Sequence, residues 1–257
     1  MIVVRFLGTG PAGGRPGRGR SHRRESSLAV ISDAGTILID VTRDAAMQLR
    51  ALDAVDLALL THAHRDASGG LPVLDRWLRA PLPIYASHDT VRALRSRHPR
   101  LSRVALHAAS SQRTFAWRDW RITSLAVPHA RDCTTVAWRL ESPEFSIVYA
   151  SDVARLTRGL RELAVRCDLL VLDGAMWQRT IFTHLEIQAT APIVATWPVR
   201  RVLFTQLGRS TPDHGVLDAW LHAFDPRFGA AYDGLVCTFG PRPARRMRER
   251  ALHRVVA

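Results

Sequence analysis

Short apolar runs alternate with amphipathic stretches along the chain, and each run has the length of a buried β-strand. Segments with helical spacing separate the runs; in residues 44–52, for example, Ala45, Leu49 and Leu52 share one face. The pattern predicts strands at residues 1–10, 26–33, 36–40, 56–60, 82–87, 134–142, 145–152, 167–177, 199–208 and 235–239, with a strand pair over 115–127. It predicts helices at residues 44–52, 71–78, 89–97, 184–195 and 216–224. With no linker or change in composition, this order predicts one α/β domain over residues 1–257.

Residues that can bind metals follow the predicted strand at residues 56–60. His62, His64 and Asp66 occupy alternate positions, so in an extended segment their side chains leave the same side. Gly69-Gly70 would let the backbone turn behind them. Ligand-type residues also end four later strands: His129, Asp152, Asp173 and Gln206. Because strand ends at one sheet edge can converge, the pattern predicts a site for a divalent metal.

Several ordered motifs resemble the metallo-β-lactamase superfamily, namely THAHRDASGG, VPHA, YASDV and LVLDGAMW. The superfamily signature is T-H-x-H-x-D-H-x-G-G, followed by single His, Asp and His ligands. Other segments resemble the ribonuclease Z and PhnP-type phosphodiesterase branch: FLGTG, RRESSLAV, ILIDVTRDAAMQL and THLEIQATAPIVATWPVRRVLFTQL. The resemblance extends from Val3 to about Gln206. It implies a four-layer αββα sandwich with the metal site at one end, between two sheets.

Matched position by position, the resemblance implies four ligands for a first metal ion: His62, His64, His129 and Asp152. Asp66 matches the aspartate of a second metal site. Asp40 matches a position whose side chain orients a metal-binding histidine without itself binding the metal. His184 matches a histidine that, in PhnP-like enzymes, lies close to the substrate phosphate and can donate a proton.

Two positions depart from the superfamily pattern. Ala67 stands where the pattern has a second-site histidine, and Gln206 stands where it has the final histidine. Asp66 and Asp152 alone would hold a second ion weakly. We therefore expect one tightly held divalent ion, with zinc favoured over manganese or iron, and a second ion that is weak or absent.

A single metal ion can activate water and polarise a phosphoryl or carbonyl oxygen. Asp66 can hold or deprotonate that water, and His184 can protonate a leaving oxygen. The sequence thus predicts a hydrolase for a phosphodiester or related ester of a small or nucleotide-like molecule. Two alternatives stay open: a non-catalytic or metal-sensing relative, since two ligands are lost together, and a mononuclear iron oxygenase acting on thiols or persulfides.

Four further residues are candidates for the second site or the pocket wall: Gln206, His214, Asp173 and Trp177. His214 lies in the turn-like stretch STPDHG, which could fold back towards the site. Trp177 closely follows Asp173, which itself is either a support for the site or an aspartate at a turn.

The net charge of +13 changes this interpretation little. All 36 basic residues are arginine, and this usage is explained more simply by the codons of a GC-rich genome than by a nucleic-acid site. The tRNA-processing relatives grip RNA with an inserted arm, and no insertion of that length is evident here. A nucleic-acid partner is therefore not favoured. The arginine-rich segment after Gly240 is expected to be helical or frayed.

No apolar stretch approaches the roughly 20 residues that span a bilayer. The N-terminal apolar run is too short for a signal peptide. We accordingly expect a cytoplasmic protein without membrane contact, as a monomer or a homodimer. The three cysteines are widely spaced and predict neither disulfides nor a zinc knuckle.

Overall fold

The computed structural model describes residues 1–178 and 181–240. Strands in these residues are β1 (Ile2–Gly8), β2 (Ser27–Ser32), β3 (Gly35–Ile39), β4 (Leu57–Leu59), β5 (Leu82–Ala86), β6 (Val104–Ala108), β7 (Thr114–Trp117), β8 (Trp120–Val127), β9 (Thr135–Glu141), β10 (Ser146–Ala150), β11 (Leu169–Asp173), β12 (Val202–Thr205), β13 (Phe228–Ala230) and β14 (Val236–Phe239). Helices are α1 (Ala45–Gln48), α2 (Arg65–Ser68), α3 (Leu71–Trp77), α4 (His88–Arg97), α5 (Arg158–Ala164), α6 (Ile187–Ala195) and α7 (His214–Phe224). The arginine-rich segment after Gly240 lies outside the described residues.

The strands form two seven-stranded sheets. The first has the order β14-β1-β2-β3-β4-β5-β6, and the second has the order β13-β12-β11-β10-β9-β8-β7. Pairing is parallel from β3 to β6 and from β10 to β13. Because β9 is antiparallel to both neighbours, β8 runs in the same direction as β10. The carboxyl ends of β8, β10, β11 and β12 therefore meet at one edge.

The two sheets pack face to face around large apolar side chains such as Trp120, Trp138 and Tyr149, all fully buried. Burial of aromatic side chains of this size is a major source of stability. Helices α1, α3 and α4 cover the outer face of the first sheet, and α5, α6 and α7 cover that of the second. This is the αββα sandwich that the sequence predicts, so the predicted fold class is confirmed. No helix in the described part of the chain has the length and apolar character needed to cross a lipid bilayer.

Some predicted boundaries were wrong. The helix expected to begin at His184 begins at Ile187, because the preceding residues form bridges from Met176 to Glu186 and from Ile181 to His184. Strands β6 and β13 and helix α5 were not predicted. Strand β6 is a half-exposed sheet edge, and β13 has only three residues, so neither has a clear alternating pattern. Helix α5 has seven residues and begins at a Thr157 cap that accepts from the Leu160 amide.

Candidate metal centre

Three histidine rings meet where β4 and β8 end. The ring centroids of His62 and His64 are 4.6 Å apart, and those of His62 and His129 are 5.2 Å apart. One ring nitrogen from each residue lies within 4.8 Å of the others, a spacing at which they could share one metal ion. His62 follows β4 directly, and His64 precedes the first turn of α2. The structure thus brings together the three predicted histidines.

The tautomer of His62 follows from its partners. Burial raises the pKa of Asp40, and its carboxylate accepts from the Thr61 amide over 2.8 Å and from the Thr61 hydroxyl over 3.0 Å. With its proton so used, the hydroxyl accepts from Nδ1–H of His62 over 2.9 Å. Burial lowers the pKa of His62 to about 4, so the ring is neutral. Its Nε2 is buried and has no hydrogen-bond partner among the described residues. An unpaired lone pair buried in this way is costly unless a metal or a proton satisfies it. Asp40 therefore supports His62 through Thr61.

The other two histidines are oriented in the same manner. Nε2 of His64 lies 3.0 and 3.1 Å from the carboxylate oxygens of Asp132 and 3.5 Å from Sγ of Cys133. These contacts with Cys133 and Asp132 raise the pKa of His64 to about 9 despite its partial burial. Nδ1–H of His129 donates to the Thr183 carbonyl over 2.7 Å. In each ring one nitrogen is engaged behind the site, and the other is left for a ligand.

Asp152, which follows β10, supplies a buried carboxylate beside the histidines. Its Oδ1 lies 4.0 Å from Nε2 of His129 and accepts from Nε2 of Gln206 over 2.7 Å. Its Oδ2 accepts from the Ser151 hydroxyl over 2.6 Å. Burial raises the pKa of Asp152, but its electrostatic interactions with His62, His129 and His184 outweigh this and hold the pKa below the ordinary value. The carboxylate therefore stays ionised and available to a cation.

The positions of the second metal site are occupied differently. Asp66 Oδ1 lies 3.9 Å from His62 Nε2, and burial together with the charge of Asp152 raises its pKa. Ala67 is buried and offers no donor atom. Gln206 has a positive φ of 59° and directs its amide N–H at Asp152, while its Oε1 is buried without a partner in the described residues. An amide hydrogen bond thus occupies Asp152 where the superfamily pattern places a histidine.

His184 lies on the opposite side of the cleft from the α2 turn, in the segment before α6. Its Nδ1 is 2.7 Å from Oδ2 of Asp173, and its ring centroid is 4.9 Å from that of His129. Asp173 also accepts from the amides of Val153 and Ala175, over 2.9 and 2.8 Å. Burial lowers the pKa of His184, but the charge and hydrogen bond of Asp173 outweigh this and raise it to about 9. Asp173 thus orients His184.

The chain turns at Gly69-Gly70, between α2 and α3, as the sequence predicts. Both residues have ordinary negative φ angles, of −68° and −88°. A Cβ at Gly70 would collide with the Thr42 carbonyl, and one at Gly69 would lie 2.9 Å from Cγ of Arg43. These glycines are therefore needed for close approach of the segment after β3, and no left-handed turn is involved.

Two predicted pocket residues lie elsewhere. The Nδ1 of His214 is 3.4 Å from Arg23, and its ring packs on Tyr232 with centroids 5.2 Å apart. The Trp177 ring packs edge-on against Trp220 at 4.9 Å. The sequence did not predict that Thr61 contacts His62 or that Asp132 and Cys133 contact His64. Only the position of Thr61 beside His62 offered any signal for them.

A cleft of about 420 Å³ opens onto these groups. Its lining includes three of the histidines, two carboxylates and two arginines: His64, His129, His184, Asp66, Asp152, Arg43 and Arg65. Three imidazole nitrogens and one carboxylate are a donor set that suits zinc, and also manganese or ferrous iron. The orphaned Nε2 of His62 and the ionised state of Asp152 agree with that assignment. The three histidines therefore fit one divalent ion. Asp152 lies beside them and forms similar groups with His62 and Asp66 and with His129 and His184.

Comparison with known proteins agrees with this architecture. A family described as Beta-lactamase superfamily domain matches residues 35–205. An octanoyltransferase of Porphyromonas gingivalis (strain ATCC BAA-308 / W83) is 25% identical over 227 residues, which are 83% of this chain and 44% of that protein. The chain thus spans less than half the length of this relative.

Solved structures that share the fold include a diphosphatase and a zinc-bound protein. A diphosphatase from the PhnP family superposes with a TM-score of 0.81 at 22% identity, covering 92% of this chain and 96% of the other. Zinc-bound PqqB from Methylobacterium extorquens superposes with a TM-score of 0.80 at 20% identity, covering 93% and 100%. At this level of identity, the likeness establishes a common fold and does not establish a common reaction.

Proposed function

The chain belongs to the beta-lactamase superfamily, and we propose that it is a metal-dependent hydrolase that cleaves a phosphodiester or related ester with one divalent ion. The observation that carries this proposal is the arrangement of the three histidines. Each ring has one nitrogen engaged behind the site and the other free to face the ligand cluster, whose atoms lie within 4.8 Å. Protein groups that hold one nitrogen of a histidine and leave the other towards a shared site are typical of metal-binding histidines.

His62, His64, His129 and Asp152 would hold the ion, zinc being favoured over manganese or iron. When bound, it would supply a Lewis acid and lower the pKa of a coordinated water. Asp66, 3.9 Å from His62 Nε2, would hold that water or take its proton. His184, kept protonated beside Asp173, would give a proton to the leaving oxygen.

A single ion is favoured because the protein satisfies the second-site ligands itself. Gln206 donates to the Asp152 oxygen that a second ion would otherwise neutralise. Ala67 contributes no donor, and an amide oxygen is a weak zinc ligand. We therefore expect about one tightly bound ion per chain, with a second ion weak or absent.

The favoured substrate is a small or nucleotide-like phosphate ester. Arg43 and Arg65 line the cleft, and arginine binds phosphate oxygens well. The match to part of an octanoyltransferase favours an acyl ester as a second candidate. A cleft lined by charged groups is a poor site for an eight-carbon chain, so the phosphate ester is preferred.

Parallel assays with bis-p-nitrophenyl phosphate and p-nitrophenyl octanoate test the proposal, using protein loaded with zinc or with manganese. We expect turnover of the phosphodiester, its loss in His62→Ala, and no loss in the control His107→Ala, whose ring stacks on Tyr85 away from the cleft. Preferential octanoate turnover would favour the acyl ester. Iron content with oxygen uptake would favour the oxygenase, and no bound metal would overturn every enzyme assignment.

A further inference from the structure

Arg43 reaches the cleft from the segment after β3, beside the α2 turn. Its side chain lines the cleft together with Asp66, Asp152 and His184. Its Cγ lies so close to Gly69 that a Cβ there would be only 2.9 Å away. The stem of Arg43 therefore rests on the end of α2, the helix that carries Asp66. The hydrogen bonds that Arg43 donates to Glu25 raise the pKa of Arg43, and the charge of Asp66 adds to this effect.

Glu25 fixes the direction of the Arg43 guanidinium. Its carboxylate is buried and accepts hydrogen bonds from Nε and Nη2 of Arg43, the first over 2.8 Å. It also accepts from the backbone amide of Arg43 over 3.0 Å. It also accepts from the amide of Gly13 over 2.8 Å. The other terminal nitrogen of Arg43, Nη1, makes no hydrogen bond to any atom of residues 1–178 and 181–240. Because Glu25 uses the N–H of Nε and one N–H of Nη2, three N–H donors remain free on the Arg43 side chain, which is 48% exposed.

The charges in the cleft favour such a group in addition to the protonated His184. Asp66 and Asp152 together carry two negative charges, which one divalent ion would only neutralise. A phosphodiester brings another negative charge, which a second metal ion would offset in a two-metal site. Here Gln206 already binds Asp152, and no side chain at Ala67 can hold another ion.

We propose that Arg43, oriented by Glu25, takes the place of the second metal ion by binding the non-bridging oxygens of an anionic phosphoryl group. The two N–H groups of Arg43 Nη1 belong to the planar guanidinium group, whose geometry matches such oxygens. Because Glu25 already restrains the guanidinium, little side-chain entropy is lost when the anion binds. Arg65 also lines the cleft, but it is exposed and its side chain makes no hydrogen bond within the described residues, so it would contribute less.

Binding of inorganic phosphate to the zinc-loaded protein, followed by calorimetry, tests this role, which rests on the proposed phosphoesterase function. We expect Arg43→Gln to weaken phosphate binding by about tenfold or more, as for the loss of a charge-assisted hydrogen bond. Zinc content should stay near that of the wild type. Arg65→Gln should have a smaller effect. Arg158→Gln, which removes an exposed arginine paired with Glu162 on α5, should have none.

The variants also separate a binding role from a structural one. Arg43→Lys keeps the charge without the fork and should bind phosphate with intermediate affinity. If Arg43→Gln fails to fold because Glu25 is left unpaired, the double variant Glu25→Gln/Arg43→Gln is measured in its place, because it also removes the buried charge of Glu25. Wild-type affinity in Arg43→Gln or the folded double variant, or no phosphate binding by the wild type, would overturn the inference. Arg43-dependent phosphate binding without phosphodiester turnover would sustain it and refute the proposed function.

Discussion

A single hydroxyl, that of Thr61, determines which nitrogen of His62 faces the cleft. It donates to Asp40 and accepts from Nδ1–H of His62, so Nε2 is the nitrogen left with a free lone pair. A relay of this kind also keeps the ring from rotating. The proposed metal site would therefore depend on Thr61, a residue that is not one of its proposed ligands.

Thr61→Val should weaken zinc binding by about 10- to 100-fold, the usual cost of losing an outer hydrogen bond to a metal ligand. Valine has the shape of threonine, so the core should be little disturbed. Competition with a fluorescent zinc chelator measures the change. Thr123→Val, on half-exposed β8, is the matched control. An unchanged affinity in Thr61→Val would contradict the relay.

Gln206→Leu should lower the free energy of unfolding of the metal-free protein by about 1–3 kcal/mol, because Asp152 loses a donor in a buried site. Urea unfolding in EDTA measures this. Gln188→Leu on α6, where the glutamine is half-buried, should change stability much less. Equal effects of the two substitutions would mean that the amide of Gln206 does not stabilise Asp152.

Among the elements, the segment between β11 and α6 departs most from its sequence pattern. Apolar spacing continues back to His184, but that side chain is held by Asp173, and the helix starts three residues later. A local pattern cannot anticipate such a bond, because the partner lies eleven residues away on a strand. Irregular structure here lets His184 face His129.

The Asp173–His184 pair should make stability depend on pH. The pKa of His184 is raised from 6.5 to about 9, so its charged form stabilises the folded state fully below pH 6.5 and the effect is lost as pH rises through about 9. Relative to His184→Gln, metal-free wild type should gain about 2 kcal/mol at pH 6 and much less near pH 10. Urea unfolding at each pH measures the difference. A constant difference would show that His184 is neutral throughout.

Gly70→Ala should be strongly destabilising, by about 2 kcal/mol or more, because its Cβ would collide with the Thr42 carbonyl in a packed region. Thermal unfolding compares it with Gly215→Ala on α7, where a Cβ meets nothing within 4 Å. The control should be neutral or stabilised by up to about 1 kcal/mol. Similar melting temperatures for the two variants would contradict the close approach.

At the scale of the whole molecule, the sequence predicted the architecture and the edge that bears the site. Ligand-type residues at strand ends such as His62, His129 and Asp152 were informative because parallel strands bring their carboxyl ends together. The contacts that complete the site were not predictable. Asp132 meets His64 across 68 residues and Gln206 meets Asp152 across 54, which only the tertiary fold determines.

One domain over residues 1–257 remains our proposal, and it predicts a single cooperative unfolding transition. Trp120 and Trp138 lie between the sheets, so tryptophan fluorescence reports their separation. In EDTA, the fluorescence and far-ultraviolet circular dichroism transitions in urea should coincide. Two resolved transitions would indicate separate folding units.

The pairing of β14 with β1 has a consequence for biosynthesis. Ile2 pairs with Phe239 and Val3 with Thr238, so the outer edge of β1 is covered by a strand made more than two hundred residues later. At about 5–20 residues per second, the ribosome takes on the order of tens of seconds to deliver that strand. During this interval β1 presents an open, apolar edge on which another nascent chain could pair. We therefore expect correct folding in the cell to benefit from protection of this edge until β14 emerges.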